Sequence, residues 1–123
     1  MKIKYQTKSV TVTNGTGSGT KGQFSSIALD SEYDRCIGIR VIETGSTAQS
    51  YRLSLLAGAQ GATNLIDLVH KDLWLSTTGI KPEDRPIPVD IPAKGNSYVI
   101  GYDIITTLSA ELALDIVFIL VKD

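Results

Sequence analysis

The sequence predicts an all-β fold: an antiparallel β-sandwich or barrel of about eight strands. Two observations carry the prediction. Short runs rich in β-branched and alternating apolar residues recur along the chain, separated by turn residues at intervals of roughly 8 to 15 residues. No alternation of strand and helix patterns occurs, which disfavours a doubly wound sheet. Nor is there an internal repeat of solenoid or propeller period.

The elements follow in order. Ile3 to Thr13 alternates and ends in Ser9-Val10-Thr11-Val12-Thr13, a half-buried strand. Asn14 to Gly22 is glycine-rich and polar, a loop that starts with the tight-turn pair Asn14-Gly15. Gln23 to Leu29 is a weaker second strand, followed by the polar corner Asp30 to Asp34. Arg35 to Glu43 places Ile37, Ile39 and Val41 at period two, and Gly38 in its middle marks a bulge or a close backbone approach. Tyr51, Leu53 and Leu55 alternate with polar residues. The stretch 64–75 fits a strand followed by a turn, and Leu65, Leu68, Val69 and Leu73 also approximate helical spacing. Pro86 to Pro92 is extended but cannot donate at its prolines, so it belongs on a sheet edge. Tyr98, Ile100, Tyr102 and Ile104 alternate over the next strand. The last strand, from Leu112 to Val121, is apolar on both faces and therefore central, with a helical start at Ser109 to Leu114 as the rival reading.

Composition bounds the function. The chain has 123 residues, reads as one domain over 1–123, and is 42% hydrophobic and 20% charged. Its formal net charge of −1 comes without any block of one sign, which argues against a nucleic-acid surface. Cys36 is the single cysteine and His70 the single histidine, so neither an intrachain disulfide nor a cysteine zinc cluster is available. Met1 to Lys8 has the charge of a signal n-region but no apolar segment follows it, and Leu108 to Val121 is too short and too charged to span a bilayer. No cleaved leader and no transmembrane segment are expected.

Each chemical motif has a plainer reading. Gly17 to Gly22 matches G-x-G-x-x-G, but a dinucleotide site needs a helix to follow and a P-loop needs Ser or Thr after Lys21, so this is a loop. Asp30, Glu32 and Asp34 would share a face if extended, yet Arg35 occupies the EF-hand glycine position, and the set reads as a solvated corner. Cys36 and His70 would need mutual hydrogen-bond reach to form a nucleophilic dyad; Cys36 in an apolar strand reads as core. Asp67, Asp72, Asp90, Asp103 and Asp115 offer no distinguished pair for glycoside hydrolysis. Among the aromatic residues, Trp74 stands in a polar-flanked segment and is the candidate exposed side chain for a protein contact or a sugar ring, while at least one of Tyr98 and Tyr102 is core. No catalytic residue, metal ligand or cofactor site is assigned.

The order of elements, with a proline-bearing segment before the penultimate strand and an apolar final strand, resembles a single jelly roll. Leu29-Asp30-Ser31-Glu32-Tyr33-Asp34-Arg35-Cys36-Ile37-Gly38-Ile39-Arg40-Val41 looks like a corner-and-strand segment of small jelly-roll virion proteins of bacteriophages. Ile66 to Leu73 and Pro86 to Gly95 are similar to those proteins too. The resemblance covers the chain from about Phe24 onward and implies a non-enzymatic structural role in the virion. The implied subunit is of capsid, vertex or decoration type and assembles with its own copies and other virion proteins. Sheet edges and the loops around 14–22, 57–64 and 73–85 are the expected contacts. The family's basic genome-binding arm is reduced here to Lys2, Lys4 and Lys8, so genome contact is not expected. The alternatives are a carbohydrate-binding sandwich module with exposed aromatics around Trp74, and a small barrel-type hydrolase or isomerase with His70 in a polar pocket.

Overall fold

A computed structural model describes residues 2–44, 50–58, 60–61, 63–70 and 87–122. Among them there are nine strands and no helix. They are β1 (Lys2–Val12), β2 (Lys21–Gln23), β3 (Ile27–Ala28), β4 (Arg35–Glu43), β5 (Tyr51–Ala57), β6 (Thr63–His70), β7 (Ile87–Pro92), β8 (Ser97–Ile104) and β9 (Leu112–Lys122). All pairings are antiparallel. One sheet, here sheet A, has the order β1-β9-β4-β7; the other, sheet B, has β2-β8-β5-β6, with β3 also on β8. Of the expected second strand, Gln23 to Leu29, only Gln23 and Ile27–Ala28 are strand, broken at 24–26 where the Phe24 N–H still donates to Ile100 O over 2.9 Å, and β2 begins at Lys21, inside the segment expected as a loop.

The pairing is nested. β1 lies against β9, β2 and β3 against β8, β4 against β7, and β5 against β6. The two sheets enclose one core cluster, to which β9 contributes Leu112, Leu114, Ile116, Phe118 and Leu120, and β5 contributes Tyr51, Leu53 and Leu55. This face-to-face burial of two antiparallel sheets is a β-sandwich. β9 is central, flanked by β1 and β4, as its two apolar faces require. It begins at Leu112, so the helical start at Ser109 does not form. β7, with Pro88 and Pro92, is an edge strand.

Two irregularities override the simple alternation. In β4 the register shifts between Cys36 and Gly38 against both neighbours. This bulge turns Ile37 outward and lets Cys36, Ile39 and Val41 face the core, in place of the expected Ile37, Ile39 and Val41 set. In the β5–β6 pair the register shifts on both sides of Leu55. Ile66 packs on the core while Leu65 and Leu68 are exposed, which is why residues 64–69 read ambiguously between strand and helix. The turn expected after this strand, at 71–75, lies outside the described residues.

Side-chain bonds tie the layers together. The buried Tyr51 donates its hydroxyl to Glu43 Oε1 at 2.6 Å, and the buried Tyr98 donates to Pro92 O at 2.6 Å. On the other side, Gln6 of β1 donates Nε2 to Ala28 O and accepts the Asp30 N–H at Oε1, at 2.9 and 3.0 Å. The Tyr51, Tyr98 and Gln6–Asp30 bonds satisfy part-buried polar groups that burial would otherwise strand.

Candidate functional site

The residues singled out from sequence are dispersed. Trp74 and Asp72 lie outside the described residues. Cys36 faces the core, and its thiol contacts Gly38 O at 3.3 Å; burial pushes its pKa up. His70 stands opposite Arg52 on β6. The Tyr98 pKa is raised first by burial and then by the nearby Cys36, and Tyr98 pairs with Ala57. Arg52 and Ala57 are five steps apart along β5, about 17 Å. The backbones of Cys36 and His70 are therefore at opposite ends of the sandwich, and the register does not bring them together as a dyad.

The glycine-rich segment is stitched to the β8–β9 connection. Gly15 N–H donates to Leu108 O, Gly19 N–H to Ile104 O and Ser18 N–H to Thr107 Oγ1. These donors are consumed, and a strand follows instead of a helix, so no phosphate cradle forms. The acidic corner is a turn and not an extended face. Asp30 Oδ1 accepts the Glu32 N–H at 2.9 Å, Asp30 Oδ2 binds Lys4 Nζ at 2.5 Å, and Asp34 meets Lys94 at 3.2 Å. The remaining described aspartates are separately engaged: Asp67 by Asn64, Asp90 by Arg35 at 3.5 Å, Asp103 by Arg52 at 3.6 Å and Asp115 by Ser9 Oγ at 2.6 Å. No group of three or more His, Cys, Asp or Glu among the described residues is placed to hold a metal ion.

Two surfaces stand out instead. The first is the outer face of sheet A. β1 and β9 alternate, so the odd-numbered residues of both strands face away from the core: Ile3 opposes Val121, Tyr5 opposes Ile119 and Thr7 opposes Val117. Tyr5 is 62% exposed and Ile3 50%, and the β4 bulge adds Ile37 to the same face. None of the described elements forms a layer over this apolar strip. Val117 and Val121 are themselves buried, so the exposed apolar surface here is Ile3, Tyr5 and Ile37, a grouping that marks a candidate interaction site.

The second is a groove of 440 Å³ across the outer face of sheet B. Its floor is made by small residues at the middle of the two central strands, Ser54 of β5 opposite Gly101 of β8. Lys21 and Gln23 of β2 rise on one side, and Asn64, Asp67 and Leu68 of β6 on the other. The β5–β6 turn closes one end, where Gly61 approaches Gln23 and Leu56. Next along the strands from the floor lies the Arg52–Asp103 ion pair. The Ser54 residue is only 5% exposed, yet its hydroxyl has no hydrogen-bond partner among the described residues. Sequence reading missed this groove. Its one signal was a serine and a glycine inside strands, where larger residues pack better.

A larger cavity, 650 Å³, opens between β7 and the β5–β6 turn beside Leu65 and Ile91. Most of its polar side chains are spent internally, Tyr98 on Pro92 O, Asn96 on Ala93 O and Asp90 on Arg35, which leaves the Ser97 hydroxyl. It therefore offers fewer free polar groups to orient a ligand than the groove on sheet B.

No protein-family model matches the chain, and no curated protein or solved structure is significantly similar to it. Among the described residues no helix is long and apolar enough to cross a membrane.

Proposed function

We propose that the chain is a structural protein of a bacteriophage particle, acting without catalysis by self-assembly and by contacts with other virion proteins in the capsid or at its vertices. The observation that carries the reading is the apolar outer face of sheet A, where Ile3, Tyr5 and Ile37 stand exposed over Val117, Ile119 and Val121. A two-layer sandwich has no internal use for a second apolar face, and a partner subunit covers it. The nested strand pairing supports a single jelly-roll reading. If β2 and β3 count as one interrupted strand, the eight strands pair first with last, second with seventh, third with sixth and fourth with fifth. That is an antiparallel ribbon wrapped on itself, the architecture common to many capsid domains. The segments that resemble phage virion proteins fall on the corner before β4, on β4 itself, on β6 and on β7.

Mass photometry and sedimentation at micromolar concentration test the proposal. Oligomers are expected, and Tyr5→Lys is expected to weaken them at least about tenfold, the effect of losing one buried aromatic anchor. A chain that stays strictly monomeric and associates with no virion component refutes the reading.

A further inference from the structure

We propose that the groove across the outer face of sheet B is a binding site for a neutral saccharide. This inference stands on a different layer from the assembly face and on different residues. The site is built: Ser54 Oγ occupies the place a side chain at residue 101 would take, since a Cβ there would come within 2.5 Å of it. The hydroxyl therefore points outward over Gly101, into the groove. A polar side chain 95% withdrawn from solvent and bonded to no described residue costs stability unless something else engages it.

The lining selects the ligand class. Lys21 and Asp67 oppose each other across the groove and cancel in charge, so an ion of either sign gains little net attraction. Gln23 carries an amide and Ser54 a hydroxyl that can each donate and accept, while Asn64, which donates to Asp67, keeps its carbonyl oxygen to accept. The Lys21 and Gln23 side chains are likewise unbonded among the described residues. A ligand that complements this set must donate and accept at many points, as the hydroxyls of a sugar do. Leu56 and Leu68 supply apolar surface for the C–H face of a ring. The volume, 440 Å³, lies within the usual range for small-molecule sites.

The test is a glycan array probed with the full chain, followed by calorimetric titration of the glycans that score. Binding of at least one uncharged glycan is expected, little changed by a tenfold rise in salt and weakened at least tenfold by Asp67→Ala. Ser54→Ala, which shortens a buried side chain, is run beside it with circular dichroism to check folding. Absence of binding by any glycan at millimolar concentration overturns the proposal. So does binding that keeps full affinity in both variants, or binding limited to anionic glycans and abolished by salt. Loss of self-association in Tyr5→Lys leaves this proposal untouched, so the two readings fail separately.

Discussion

At the scale of single residues, three side chains carry testable consequences. Cys36 is fully buried and its thiol is pushed up in pKa by burial, so the thiolate that reacts with disulfide reagents is suppressed. The native chain is expected to be silent to a colorimetric disulfide reagent and to react with one equivalent once denatured. Asp30 is held below its ordinary value of 3.8 by the Lys4 hydrogen bond first and by the Glu32 N–H second. Its folded pKa is below its unfolded one, so this link stabilises above the unfolded value and is lost as pH falls through the folded value. Urea midpoints of wild type and Asp30→Asn should therefore differ at neutral pH and converge by about pH 2. The bond is exposed and its effect should shrink with salt. Ser54 runs opposite to the usual rule for buried residues. Removing an unpartnered buried hydroxyl relieves a desolvation cost, so Ser54→Ala should be neutral or stabilising by about 1 kcal/mol in chemical denaturation. A stability gain paired with lost glycan binding is the signature of a residue kept for function.

At the scale of elements, Gly101 and Ser54 act as one unit across β8 and β5. An added Cβ at 101 meets Ser54 Oγ at 2.5 Å, so Gly101→Ala should destabilise by about 1–3 kcal/mol. In the double variant with Ser54→Ala much of that loss should return, a coupling measurable by a double-mutant cycle. The same pair illustrates what sequence could and could not show. β9 and β8 were legible because their alternation is regular and long, and β7 because Pro88 and Pro92 restrict a ladder. In β4, Cys36, Ile39 and Val41 were legible as core and Ile37 was not, because one extra residue at Ile37–Gly38 shifts the parity between Cys36 and Ile39, and only the glycine hinted at it. β6 was blurred by two register shifts for the same reason. The groove escaped notice because it is defined by which small residues become neighbours across strands 47 positions apart, a fact of register and not of local pattern. The aromatic expected to mark the binding surface, Trp74, lies outside the described residues, whereas the exposed aromatic of the described surface, Tyr5, sits in an ordinary-looking strand.

At the scale of the whole molecule, the sandwich has four sheet edges, and each is blunted differently. β1 carries lysines at 2, 4 and 8 on its core-side face, β2 is three residues long, β6 is bulged and β7 contains two prolines. These are the devices by which sheets resist edge-to-edge pairing. Under the assembly reading proposed above, these guarded edges leave the outer face of sheet A, with Ile3, Tyr5 and Ile37, as the surface for association. Lys8→Val, which removes one of these guards without touching Tyr5, should raise light scattering during refolding at micromolar concentration. The nested pairing has a further consequence in time. β1 opposes β9 from Lys2↔Lys122 to Val12↔Leu112, so the first strand leaves the ribosome at least 100 residues ahead of its partner. At ordinary translation speeds it waits roughly 5–20 seconds with its ladder to β9 unformed. β1 cannot join the sheet until β9 has been made, and its lysines at 2, 4 and 8 favour water over premature pairing in the meantime.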